Sequence, residues 1–240
     1  MKVKLLHIYY DIMNLYGENG NIKMLERRLA DQGVEVETDR LSLGDEVDFE
    51  KYDFIYCGCG MESYRNACLK HLVQYKESLK RAYESGKVML FTGNAYEMLG
   101  EKVTDPEGNE FEGASVFDFT TVEERKNRYS GDVAVKSELF EKPLVGFINS
   151  CSETCGITEP LFEIERQIGS VTDKFDGIHS KNLFGTLLIG PILVKNPHFA
   201  EYIVNMLVDD YDYKDIRYKY ADNGYEITLT ELMKDSNNYV

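Results

Sequence analysis

The chain has 240 residues, 43% of them hydrophobic and 12% aromatic, which is enough to bury one substantial core. A net charge of −15 and a pI near 4.8 argue against a nucleic-acid backbone or an anionic membrane surface as the main partner. No apolar run reaches the length of a membrane span, the N-terminus lacks a signal-peptide pattern, and five cysteines among many lysines and glutamates fit a reduced cytoplasmic setting better than a disulfide framework.

In chain order, two periodicities alternate. Val3–Tyr9 reads as a buried strand, followed by the turn-rich stretch Asn14–Asn21 and a helix over Ile22–Gln32 that Gly33 stops. Val34–Thr38 alternates as a strand. Phe54–Cys57 is a second buried strand ending at Gly58-Cys59-Gly60. One long helix is expected over Arg65–Ser85, then a buried strand at Val88–Phe91, a tight turn and a helical Tyr96–Leu99. These lengths fit right-handed βαβ units, so the fold class is α/β with a mostly parallel central sheet flanked by helices. The middle third changes character: short strands are expected within Glu107–Thr121, Gly131–Val135 and Leu144–Ile148. Gly185–Pro191 ends the main sheet and Phe199–Leu207 forms a closing helix. The expected division is residues 1–207 as the main domain and 208–240 as an acidic extension. That extension holds six tyrosines between Tyr211 and Tyr239, with a strand expected at Tyr225–Leu229 and a short helix besides.

In open α/β sheets ligands bind beyond the carboxyl ends of the strands, and three turns fall there. The glycines of Gly58-Cys59-Gly60 let a backbone N–H face the crevice as an oxyanion donor, although a plain tight turn is the blander reading. Phe91-Thr92-Gly93-Asn94 is an abrupt strand-to-helix turn of the kind that presents a nucleophile, yet its apex, Gly93, has no side chain. The strand end at Gly185–Pro191 is placed to present a base, but it offers Ile189. Asp11 and Asn14 are expected to cap the turn into the first helix.

Several motifs in order carry a resemblance: Tyr10–Gly17 with Gly20-Asn21, Gly58-Cys59-Gly60, Tyr96–Gly100, Arg128-Tyr129 with Gly131-Asp132-Val133, Val145-Gly146-Phe147 with Asn149, Gly185-Thr186, and Gly190-Pro191 with Lys195-Asn196-Pro197. Together they resemble the class I glutamine amidotransferases of the cobyric acid synthase (CobB/CobQ) type. Within that family they are most similar to GatD proteins, the amidotransferase subunits of lipid II isoglutaminyl synthases. The resemblance implies a flavodoxin-like three-layer fold, no cofactor or metal, and cysteine-based release of ammonia from glutamine to a Mur-ligase-like subunit that amidates a cell-wall precursor.

Carried over position by position, the resemblance implies an oxyanion turn at Gly58 and Gly60. It implies substrate contacts at Arg128 and Asn149, a nucleophile position at Gly93 and a histidine position at Ile189. Both catalytic positions therefore lack their chemistry. The expectation is a non-catalytic subunit that supports a ligase, or binds glutamine or another amino acid, with no nucleic-acid partner and no membrane insertion. The alternative is an active amidotransferase with a relocated nucleophile drawn from Cys57, Cys59, Cys151 or Cys155, for instance Cys155 with His179. For Arg128 the bland reading is a surface arginine balancing Glu123, Glu124 and Asp132. A guanidinium that binds a carboxylate is the functional one.

Overall fold

A computed structural model describes residues 1–208 and 214–234. Tyr211, Tyr213 and Tyr239 of the tyrosine-rich extension lie outside the described residues. In chain order the elements are β1 (Lys2–Ile8), α1 (Asn19–Asp31), β2 (Glu35–Leu41), β3 (Phe54–Cys57), α2 (Glu62–Leu72), α3 (Lys76–Glu84), β4 (Val88–Thr92), β5 (Lys102–Thr104), β6 (Glu110–Glu112), β7 (Thr120–Glu123), β8 (Tyr129–Lys136), β9 (Leu144–Ser150), β10 (Ser152–Cys155), β11 (Phe162–Gly169), β12 (Phe175–Asp176), β13 (Ile178–Ser180), β14 (Leu183–Thr186), α4 (Ile192–Lys195), α5 (Pro197–Leu207) and α6 (Lys219–Leu232).

The central sheet has the order β13-β14-β4-β3-β1-β2 and is parallel except for the β13–β14 hairpin at one edge. Its inner strands β3, β4 and β14 are buried along their whole length, as strands covered on both faces must be. One face packs on α1 and α5 through Leu25, Leu29, Phe199 and Ile203. The other packs on α2 and α3 through Cys68, Leu72, Leu79 and Ala82. The expected α/β sandwich is therefore the observed one. Two four-stranded sheets flank it, in the orders β10-β7-β5-β6 and β12-β11-β8-β9. No helix among the described residues is long and apolar enough to cross a membrane.

Three expectations are corrected. The helix over Arg65–Ser85 is two helices joined by a 3₁₀ turn at Val73–Tyr75. The stretch Glu107–Thr121 holds only the short β6 and the start of β7, separated by loop. The strand expected at Tyr225–Leu229 lies inside α6. Tyr225-Glu226-Ile227-Thr228-Leu229 alternates like a strand, but Tyr225, Leu229 and Leu232 are spaced four and three apart. On a helix they share one face, and they pack that face on Ala134 of β8 and Val145 of β9. The Tyr225 hydroxyl also donates to the Pro143 carbonyl at 2.7 Å.

Tyr225→Ala should thus lower stability by about 3 kcal/mol through the cavity it leaves, and Tyr225→Phe by only about 1 kcal/mol for the lost hydrogen bond. Urea unfolding measures both. Equal, negligible effects would show that α6 is not part of the folded unit.

Candidate functional site

The candidate site sits at the carboxyl ends of β3 and β4, where the loop after β1 and the loop after β14 also converge. Asn14 accepts the backbone N–H of Asn19 at 2.8 Å and so shapes the entry to α1, while Asp11 accepts from Ile12 N–H at 3.0 Å. That turn delivers Glu18 into the protein interior. Its Oε1 accepts the Gly190 N–H at 2.9 Å, and its Oε2 accepts from the Tyr56 hydroxyl at 2.8 Å and from Thr92. The Cys59 N–H is also directed at this carboxylate. Burial pushes the Glu18 carboxyl up, and this set of donors offsets part of that cost. One carboxylate thus ties together four segments that are distant in sequence.

At the elbow, Gly93 has φ +57°, a left-handed conformation that glycine adopts with little strain. The space beside it is filled. A Cβ there would lie 2.5 Å from the Cys59 Cβ, 2.6 Å from the Cys59 Sγ and 2.8 Å from the Ile189 Cγ2. Ile189 lies beyond the end of β14, in a loop held by an isolated antiparallel bridge to Phe147. The Asn94 backbone N–H points at the Cys59 sulfur. The neighbours of the apex are engaged elsewhere: Thr92 donates to Glu18, and the Asn94 side chain clamps the Gly60 peptide.

That clamp corrects one expectation. The Gly60 N–H does not face the crevice as a free oxyanion donor; it donates to Asn94 Oδ1 at 3.1 Å, and Asn94 Nδ2 donates back to the Gly60 carbonyl at 2.8 Å. Gly58 is packed against the Met13 carbonyl and Glu18, where a Cβ would come within 2.6 Å and 2.7 Å. Its glycine serves close backbone approach.

Arg128 and Asn149 do meet, in a cleft of about 220 Å³ that also exposes Tyr16, Cys59, Glu62, Glu97 and Cys151. Arg128 Nη1 donates to Asn149 Oδ1 at 2.9 Å, and Asn149 Nδ2 donates to the Tyr16 hydroxyl at 2.6 Å. Arg128 Nη2 reaches Glu62 and also the Cys151 sulfur at 3.3 Å. The partner of Arg128 is therefore Glu62, at the start of α2, and not the acidic neighbours in its own segment. Partial burial raises the Glu62 carboxyl, but the hydrogen bond and charge of Arg128 outweigh it and hold Glu62 below the usual carboxylate range.

Below this cleft Arg65 is fully buried. It pairs with Glu97 and, at 2.8 Å, with Glu123. Sequence reasoning placed Arg65 in an amphipathic helix and missed Glu18, Glu62 and Glu97 altogether.

The cysteines divide clearly. Cys57 and Cys68 are buried in the core facing α2. Burial raises the thiols of both Cys59 and Cys151 to about 12, and nearby carboxylates act in the same direction. Cys155 and His179 are not brought together. Cys155 is exposed on β10 opposite Thr120, whereas His179 stacks on Phe184 with ring centroids 4.7 Å apart. Among the described residues no histidine lines the cleft. Among the described residues no group of three or more His, Cys, Asp or Glu side chains is arranged to hold a metal ion.

A larger cleft of about 830 Å³ shares Arg128, Cys151 and Ser152 with the first and ends on Asp176. Asp176 accepts from Thr186 and from the Leu187 N–H at 3.0 Å, and burial raises its carboxyl to about 6.

An open parallel sheet with a glycine-tight elbow beyond β4 and a polar cleft at the strand ends is the architecture of class I glutamine amidotransferases. The chain belongs to the family of the CobB/CobQ-like glutamine amidotransferase domain, whose model matches residues 4–197. It is 32% identical over 240 residues to the GatD subunit of lipid II isoglutaminyl synthase (glutamine-hydrolyzing) of Staphylococcus aureus (strain N315), covering 99% of this chain and 97% of that one. It is 31% identical over 206 residues to the corresponding subunit of Streptococcus pneumoniae (strain ATCC BAA-255 / R6), covering 85% and 79%. Among solved structures, PurLQS from Thermotoga maritima superposes with a TM-score of 0.53 at 12% identity, covering 95% of this chain and 100% of that one. A glutamine amidotransferase from the same organism gives 0.53 at 13%, covering 97% and 99%. At these identities the two structures share the fold.

Two predictions follow from the geometry. Gly93→Ala should cost roughly 2–5 kcal/mol, from backbone strain of about 1–2 kcal/mol and overpacking of about 1–3 kcal/mol. Cys59→Gly in the same chain should recover the part of the packing cost that the Cys59 side chain imposes and leave the Ile189 contact, a coupling of about 1–2 kcal/mol in a thermal-unfolding double-mutant cycle. Additive effects would mean that the sulfur does not occupy that space. For Asp176, a raised native pKa means stability that is complete below about pH 4 and lost as pH rises through about 6. Between pH 4 and 7 the unmodified chain should lose up to about 3 kcal/mol relative to Asp176→Asn, about 1.4 kcal/mol for each of two pKa units. Parallel pH profiles would refute the buried, raised carboxyl.

Proposed function

We propose that this chain is a non-catalytic glutamine amidotransferase-like subunit that supports a Mur-ligase-like partner in the cytoplasm, in the amidation of a lipid-linked cell-wall precursor. The similarity to GatD subunits along nearly the whole chain supports the pathway. The observation that carries the non-catalytic reading is the packing at the elbow. A nucleophile in this fold projects from the apex, and the volume it needs is taken by the Cys59 sulfur and the Ile189 methyl group.

The chemistry agrees. Thioester formation needs a thiolate and a base to activate it. The thiols facing the cleft are held protonated by burial and by carboxylates, and no imidazole reaches them. In this reading the partner takes ammonia from solution, while the subunit contributes surface and a ligand-binding cleft. Arg128 and Asn149 support a small ligand there, with amino acids the first class to test. An incoming carboxylate must first displace Glu62 from Arg128.

A second reading rests on the same contact. The Cys59 sulfur lies beside the place of a family nucleophile and receives the Asn94 N–H, which favours it as a relocated nucleophile over Cys151, the other thiol lining the cleft. Ammonia release from glutamine, measured with the chain alone and with its partner, separates the two. The non-catalytic reading expects a rate on the order of 10⁴-fold or more below that of a family member with its nucleophile intact. Release at a normal rate, abolished by Cys59→Ser, would establish the second reading.

A further inference from the structure

The 220 Å³ cleft is lined by one hydrogen-bond acceptor that has no donor. Glu97 lines it and is 1% exposed. Its Oε2 is paired with Arg65, whose guanidinium also meets Glu123, and Glu123 is paired in turn with Arg125 through its other oxygen at 3.2 Å. Its Oε1 has no hydrogen-bond partner and is sealed from bulk water. A hydrogen bond from the Ser152 side chain and the charge of Arg65 ease the carboxyl as a whole, while Oε1 itself keeps no partner. A buried carboxylate oxygen without a donor costs about 1–3 kcal/mol or more, and folded proteins keep few of them.

At the mouth of the same cleft, Arg128 is the one cationic side chain in the lining, and Glu62 already occupies it. The cleft therefore offers an acceptor that lacks a donor and no cation that lacks an anion. A ligand ammonium entering it meets Glu97. A ligand carboxylate meets a neutralised guanidinium between Glu62 and Glu97.

We propose that this cleft binds a small ligand through a primary ammonium group that docks on Glu97, and that Glu62, by occupying Arg128, selects against ligands with a free carboxylate. The proposal rests on the reading that the cleft binds without cleaving. The cleft adjoins the larger one at Arg128, Cys151 and Ser152, and its own volume of about 220 Å³ corresponds to about seven waters at about 30 Å³ each. This is below the usual range for drug-sized sites.

The test is calorimetric titration of the full chain with four probes: methylammonium, glutaminamide (ammonium kept, carboxylate masked), glutamine, and N-acetylglutamine (ammonium masked). Glutaminamide should bind at least about tenfold more tightly than glutamine, a difference of about 1.4 kcal/mol, and N-acetylglutamine should not bind. Glu97→Gln should weaken glutaminamide by about tenfold or more. Glu62→Gln lies at a partly exposed position and spares the buried Arg65 cluster, and it should erase the disadvantage of glutamine. The proposal is overturned if glutamine binds as tightly as glutaminamide to the unmodified chain, if N-acetylglutamine binds, if both variants leave the affinities unchanged, or if neither methylammonium nor glutaminamide binds at millimolar concentration. Ammonia is assayed in the same samples. Its release would contradict the non-catalytic reading, while the order of the probe affinities still decides the charge preference.

Discussion

The van der Waals contact between the elbow and the turn after β3 sets the character of the whole cleft. Gly93, Cys59 and Ile189 come from three separate strand ends, and they interlock so closely that no side chain fits at the apex. Close packing makes such a contact costly to open, because an added methyl must push the Cys59 side chain and the Ile189 methyl aside at about 1–3 kcal/mol. Glu18 fixes the same strand ends from behind, holding Tyr56, Thr92, Cys59 and Gly190 around one buried carboxylate. The apex of the elbow carries no side chain, and the space beside it is filled by the Cys59 side chain and the Ile189 methyl group.

The electrostatics follow from that exchange. With sulfur and hydrocarbon over the elbow, the Asn94 N–H meets a neutral thiol, and the Gly60 N–H is consumed by the Asn94 amide. Donors that a reacting carbonyl would need are thus spent inside the protein. What remains is a cleft dominated by carboxylates. Glu62 is neutralised by Arg128, and Glu97 is only half satisfied by Arg65. The fold persists because its stability resides in the two apolar layers on either side of the parallel sheet, which do not depend on the site.

How much of this was legible in the sequence depended on range. The apolar run Phe54–Cys57 between turn residues gave β3 its observed bounds, and Val88–Phe91 gave all of β4 but Thr92. Local chemistry also exposed the glycine at the apex of the elbow and the cap at Asn14. Long-range pairings were invisible. Arg65 reads as the polar side of an amphipathic helix, but it is buried because Glu97 and Glu123 meet it from 32 and 58 residues away. Glu18 sits in a turn-rich stretch with nothing to announce that its partner Gly190 is 172 residues distant. Arg128 offered the opposite lesson, since its acidic neighbours in sequence are not its partner in space. For α6, an alternating local pattern lost to the tertiary advantage of placing Tyr225, Leu229 and Leu232 on one helical face.

Covalent labelling offers the most direct trial of the claim that the elbow has been closed over. The full chain, alone and with the proposed ligase partner, is incubated with an electrophilic glutamine analogue and weighed intact by mass spectrometry. A sealed elbow flanked by protonated thiols predicts no stoichiometric adduct at neutral pH. A single adduct that forms rapidly, is blocked by glutamine and maps to Cys59 or Cys151 would contradict the account.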